Sequence, residues 1–137
     1  MILIDSSVWI DLFADRQTLQ TNLGRRLIAA KERVAVPDLV LTEVLQGTRD
    51  ERDFRRKLTL LSTFDLVTMV DRRVAVAAAR SYQRLRALGI TPRKTIDTLI
   101  ATRCTLDDIP LLFADRDFQP FVEHLGLRSA LDDTGLN

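Results

Sequence analysis

Short apolar runs that stop at or just before an acid, separated by enough chain for one or two helices, restrict how this sequence can fold more than any other feature. Met1 to Ile4 is apolar and ends at Asp5; Arg33 to Val36 is rich in β-branched residues and is closed by Pro37. Leu66 to Val70 runs into Asp71, and Pro110 to Ala114 runs into Asp115. Runs this short and this apolar read as strands buried on both faces. The intervals read as helices. Ser6 or Ser7 is placed to cap a helix ending at Phe13, and a second stretch covers Leu19 to Lys31. Asp38 can cap a helix ending before Gly47, and Thr48 with Glu51 has capping-box spacing ahead of Phe54, Leu58 and Leu61. Asp71 opens a long helix with Val74, Ala78, Ser81, Leu85 and Leu88 on one stripe, and Thr95 can cap another carrying Ile96, Leu99, Ile100 and Cys104 inward. A brief helix and a last strand over Leu127 to Ala130 complete the chain. The alternation predicts a three-layer α/β sandwich, its short and mostly parallel central sheet flanked by helices.

At 137 residues the chain has the length of one ordinary domain, expected to span residues 1–137. Several kinds of chemistry are excluded by what is missing. Cys104 is the single cysteine and His124 the single histidine, so neither a disulfide nor the usual zinc ligand sets can be assembled. Five scattered glycines cannot build a phosphate-cradling loop. No run of eighteen apolar residues is present, and Asp5 interrupts the first apolar stretch, so a soluble cytoplasmic protein is expected. With 20 basic and 19 acidic residues the net charge is +1, and any grip on nucleic acid has to be local. All the basic residues except Lys31, Lys57 and Lys94 are arginine, whose planar fork suits phosphate or carboxylate.

The acids at the element ends carry the chemical information. Ligands of open parallel sheets bind beyond the carboxyl ends of the strands, and Asp5, Asp115 and Asp117 follow two strands directly. Asp97 stands in the first turn of a helix whose start is expected at the same edge, and Glu43 lies on the helix after the second strand. Two unit charges ~4 Å apart repel by about 4 kcal/mol at an effective dielectric near 20, so such a gathering needs a counter-charge. With no histidine or cysteine to contribute, an all-oxygen site suits a hard cation, magnesium or manganese. One or two such ions activate water and shield a phosphate, which is the chemistry of phosphodiester hydrolysis.

The same residues resemble a known family. Met-Ile-Leu-Ile-Asp5-Ser-Ser-Val-Trp-Ile, Val-Pro-Asp-Leu-Val-Leu-Thr-Glu43-Val-Leu-Gln-Gly, Ile96-Asp97-Thr-Leu-Ile-Ala and Leu-Phe-Ala-Asp115-Arg-Asp117-Phe occur in the order and spacing of a PIN domain. More narrowly, the chain resembles the VapC-type toxins of bacterial toxin–antitoxin systems over essentially its whole length. Each piece alone is weak, but the four together are specific. The resemblance implies a metal-dependent endoribonuclease that attacks RNA in line, leaves a 5′-phosphate and a 3′-hydroxyl, is inhibited by a VapB-like antitoxin and forms a homodimer. It implies that Asp5, Glu43, Asp97 and Asp115 are the catalytic acids and that Asp117 matches a frequent fifth. On this reading Asp5 and Asp97 hold the principal magnesium, Asp115 and Asp117 a second, and Glu43 orients or deprotonates the attacking water. Arg93 and Arg116 are the candidate substrate-binding residues, next to site acids and able to grip phosphate.

Simpler roles stand beside these. Asp97 alone would be a helix-dipole acid, Glu43 a solvated helix charge, and Asp115 with Asp117 a loop pair. Lys94, beside Arg93, could grip phosphate in the same way or only offset local acid charge; Arg73, Arg80 and Arg84 read as a solvated helix face. Trp9 and Phe13, one turn apart, read as core, and the resemblance adds that their face and the helix of Phe54, Leu58 and Leu61 are where an antitoxin peptide docks in the family. Cys104 is expected in the core and His124 on the surface. A phosphorelay receiver would need an acidic pair after the first strand, and a haloacid-dehalogenase-type phosphatase a second acid two residues after Asp5; the sequence supplies neither. A PIN-like module that binds without cleaving is the first alternative, and a magnesium-dependent phosphorelay receiver the weaker second.

Overall fold

Strand β1 (Ile2–Ile4) is the centre of the molecule, with Leu3 and Ile4 fully buried. The computed structural model describes residues 1–133. In chain order β1 is followed by α1 (Ser6–Phe13), α2 (Leu19–Ala29), β2 (Val34–Pro37), α3 (Asp38–Gln46), α4 (Glu51–Leu61) and β3 (Asp65–Val67). Then come α5 (Arg72–Ala87), α6 (Thr95–Leu106), β4 (Leu111–Leu112), a single 3-10 turn (Arg116–Phe118), α7 (Gln119–Leu125) and α8 (Ala130–Asp133).

The four strands pair in the order β3-β2-β1-β4, all parallel. The chain therefore builds outward from β1 through β2 to β3 and then returns to add β4 on the other side. Right-handed crossovers make the outward and returning connections cover opposite faces. The contacts agree, with α1 against α2 and α3, α3 against α4, and α5 against α6 and α7. This is the expected three-layer α/β sandwich. The reversal of direction opens a crevice at the carboxyl ends of β1 and β4, the topological switch point of such sheets.

Helix starts are set by acids more often than the sequence suggests. Asp5, not Ser6 or Ser7, caps α1, its Oδ2 accepting from the Ser7 amide at 3.0 Å. Asp50 caps α4 in place of Thr48, whose hydroxyl instead donates to the Leu45 carbonyl. Asp38 is the first residue of α3 with Pro37 at the cap position; its Oδ1 accepts from the amides of Leu39 and, across 31 residues, Met69. Lys94 occupies the cap position of α6, and no side chain caps that helix. Asp71 caps α5 as expected.

The expected last strand is a single bridge, Ser129 to Leu111, after which the chain turns into α8. Arg128 stays against the sheet edge, its carbonyl accepting from the Leu111 amide at 2.9 Å, while its side chain donates to the Asp108 carbonyl and the Asp133 carboxylate. Lys31 lies just past the end of α2 in the left-handed conformation (φ 56°), which ends that helix two residues earlier than the pattern implied. Leu88, at the far end of its stripe, is 58% exposed. Among the described residues no helix is long and apolar enough to cross a membrane.

Trp9 joins the first helix to the second half of that layer, its ring centroid 5.3 Å from Phe64 and 6.3 Å from Phe13. It is 2% exposed. Removing a buried indole of this kind costs ~3–5 kcal/mol. Trp9→Ala is expected to lose that much in urea denaturation with an unchanged slope, and a loss below about 1 kcal/mol would show that the ring is not a core anchor.

Candidate metal centre and active site

Five carboxylates gather at the switch point, and local structure places them. Asp5 is fixed by its own capping duty: Oδ2 accepts from the Ser7 amide and, at 2.6 Å, from the Ser7 hydroxyl. That hydroxyl accepts in turn from the Ala114 amide at 3.1 Å, and the Asp5 amide donates to the Leu112 carbonyl at 2.9 Å. Ser7 thus ties the end of β1 to the end of β4. Asp115 caps the 3-10 turn, its Oδ1 accepting from the Asp117 amide at 2.9 Å. Asp97 is in the first turn of α6, where the helix dipole favours an anion, and is 4% exposed. Glu43, half-buried on α3, accepts from the Ser6 hydroxyl at 3.2 Å.

Ligand-capable oxygens of Asp97, Asp115 and Asp117 all lie within 4.8 Å of one another. Asp5 and Glu43 border this trio and act on it electrostatically. Three buried oxygens here, Asp5 Oδ1, Asp97 Oδ2 and Asp117 Oδ2, have no hydrogen-bond partner. Buried anionic oxygens left bare are costly, and a cation is what relieves them. The donor set is all oxygen and fits a hard divalent ion.

The electrostatics report the same crowding. Burial pushes Asp97 up to about 7, against the pull of Lys94 and with help from Asp5, Asp115 and Glu43. Burial also raises Asp5, opposed by its bonds to Ser7. Burial and then the Asp5 charge raise Glu43. Asp115 goes the other way: burial works to raise it, but the Asp117 amide and the Lys94 ammonium hold it below the ordinary carboxylate value.

The basic residues divide differently from the sequence expectation. Arg93 is engaged, donating to Asp117 Oδ1 at 2.9 Å, whereas Arg116 is exposed. Both line a cleft of ≈ 200 Å³ beside Asp117, with Thr91, Pro92 and Pro120. Lys94 donates to Asp115 Oδ2 at 3.2 Å and lies 3.6 Å from Asp97 Oδ2. Of the two roles the sequence offers it, phosphate grip and offset to local acid charge, these contacts are the second. Ser7, which the sequence offers first as a helix cap and otherwise as a hydroxyl for Asp5 or a metal, takes the bond to Asp5. Elsewhere, Arg73, Arg80 and Arg84 are exposed as expected, Arg73 with two surface bonds to Asp107, and Cys104 is buried with its thiol pushed up to about 12. His124 is on the surface beside Glu123.

A PIN domain family model matches residues 2–121. The chain belongs to the PIN domain family. This PIN domain is 28% identical over 131 residues to ribonuclease VapC11 of Mycobacterium tuberculosis, covering 95% of the chain and 98% of that protein. The VapC ribonuclease Mb1587 of Mycobacterium bovis matches to the same extent. The fold of this chain is similar to that of a chain in VapBC2 from Rickettsia felis, solved with a promoter DNA fragment (TM-score 0.72, 18% identity, 94% of this chain and 97% of that one). VapBC-1 from nontypeable Haemophilus influenzae is similar (TM-score 0.71, 16% identity, 94% and 96%).

The raised carboxyls give the PIN domain a defined pH response. Between 3.8 and about 7 the folded chain binds a proton at Asp97 that the unfolded chain has released. Stability in chelator therefore falls as pH rises through that window, with Asp5 and Glu43 acting in the same direction. Asp97→Asn is expected to flatten the fall and to raise the melting temperature at neutral pH; melting curves in chelator across the window that are equally steep for both proteins would contradict the assignment.

Proposed function

We propose that this chain, a single domain over residues 1–137, is the toxin of a toxin–antitoxin pair and cleaves RNA as a divalent-metal-dependent endoribonuclease. The observation that carries the reading is the trio Asp97, Asp115 and Asp117 beside Asp5 and Glu43, with bare buried oxygens at the switch point. The VapC ribonucleases to which the chain is similar along nearly all their length support it.

In this reading Asp5, Asp97, Asp115 and Asp117 would hold magnesium or manganese, which would supply an acidified water and charge shielding for the phosphate. Asp5 uses Oδ2 for the helix cap and leaves Oδ1 to the cation. Glu43, held by Ser6 and with a raised carboxyl, is suited to take the proton from the attacking water. Arg93 and Arg116, at the cleft beside Asp117, hold substrate phosphate. The products are a 5′-phosphate and a 3′-hydroxyl.

A VapB-like antitoxin is the proposed protein partner, as the chain's fold is that of VapC-containing complexes. A groove of ≈ 410 Å³ lined by Ile10, Phe13, Ala14 and Val44 and edged by Arg49, Arg56 and Lys57, three cations around the single acid Asp53, suits an amphipathic acidic peptide. A homodimer in the cytoplasm completes the proposal.

The test is incubation of the purified, partner-free protein with total bacterial RNA and magnesium or manganese, mapping every new 5′ end. Discrete metal-dependent cuts are expected, and none from Asp5→Asn or Asp97→Asn. Turnover retained by both variants would refute the metal assignment, and no cleavage by the parent protein under either metal would favour a binding module.

A further inference from the structure

The loop before α6 places two consecutive cations on all three acids of the candidate cluster. Arg93 meets Asp117, and Lys94 meets Asp115 and Asp97. The two contacts differ in kind. Arg93 takes Asp117 Oδ1 and leaves Oδ2 bare, so Asp117 keeps an oxygen for an ion. Lys94 stands between the other two carboxylates, with one good hydrogen bond and one contact too long to be one. Asp97 Oδ2 therefore remains without a hydrogen-bond partner although it is buried and the ammonium is 3.6 Å away. A single ammonium can only partly satisfy two carboxylates, whereas a hard divalent ion draws oxygens in to ~2.1 Å from all sides.

Both cations draw on the same oxygens, and charges of like sign do not share so small a space. The Lys94 side chain is half exposed, at 51%, so it has solvent into which it can withdraw. Its long flexible stem and compact charge suit such a movement better than a planar guanidinium would.

We propose that Lys94 is a tethered counter-ion that a divalent cation displaces from Asp97 and Asp115, so that this side chain sets the metal concentration at which the site fills. The inference rests on the metal-centre reading above. By reciprocity, whatever Lys94 contributes to holding the acids without metal is subtracted from metal binding. A charge-assisted contact of this type corresponds to about a ten-fold change in affinity.

The experiment is Mn²⁺ binding, measured by calorimetry and by the spin-resonance signal of the free ion, on the purified chain and on Lys94→Met, Lys94→Arg and Arg116→Met. Lys94→Met is expected to bind Mn²⁺ about ten-fold more tightly. It is also expected to melt below the parent in chelator and to close that gap at saturating Mn²⁺. Lys94→Arg, which keeps the charge, should stay near the parent. Arg116→Met removes a neighbouring charge with no acid contact and should change affinity less than about two-fold, which separates displacement from a general field effect. Lys94→Met binding no more tightly than the parent, or no more tightly than Arg116→Met, would overturn the proposal while leaving the metal centre intact. Failure of the parent chain itself to bind Mn²⁺ would instead overturn the metal-centre reading, and this inference with it. A cooperative melt of each variant guards against misfolding, and Lys94→Arg keeps the comparison available if Lys94→Met does not fold.

Discussion

Carboxylates withdrawn from water beside one another are the constraint on which the rest of this structure turns. Asp5 and Asp97 are 2% and 4% exposed, a degree of burial that anions reach only with compensation. The compensation is partial here. Amides and hydroxyls satisfy one oxygen of Asp5, Lys94 approaches Asp97 without bonding it, and Asp97 is left titrating near neutrality at about 7. A fold serving only its own stability would bury apolar side chains in these places. The cost is tolerable because the surrounding core is large and continuous, running from Leu3 and Ile4 through Ile100 to Phe118 and Phe121.

The sheet topology makes that concentration of charge possible. Because β4 joins on the opposite side of β1 from β2, the ends of β1 and β4 are adjacent while the helices leaving them diverge to opposite faces. The crevice between them receives helix starts from both layers. Ser7 then fixes the spacing of the two strand ends, through a hydroxyl that donates to Asp5 and accepts from Ala114. A single small side chain thereby couples the register of the sheet to the geometry of the acids.

The cations around the site show why composition says so little about it. The chain is nearly neutral overall, yet the site acids meet Arg93 and Lys94 from one loop, and Asp107 at the other end of the same helix α6 meets Arg73 and Arg103. Arginine serves the fixed pairs, where a planar fork gives two bonds to Asp107. Lysine stands where Asp97 and Asp115 share a charge.

The sequence by itself determined the layers, the parallel sheet and the identity of the five acids. Hydrophobic period and strand-end position are local properties, and the four motifs carry their own spacing. It also determined Asp71 as the cap of α5 and the burial of Cys104. It did not determine which residue caps α1, α4 or α6, since neighbouring side chains of similar propensity compete and packing selects among them. Nor could it resolve the last strand, where Leu127 to Ala130 has strand-like alternation but the pairing stops at one bridge before the chain turns into α8. The grouping of Asp97 with Asp115 and Asp117, the link through Ser7 and the place of Lys94 between two carboxylates were decided by tertiary structure alone. Each of these depends on distances between segments brought together only when β4 docks against β1, and no local pattern encodes such distances.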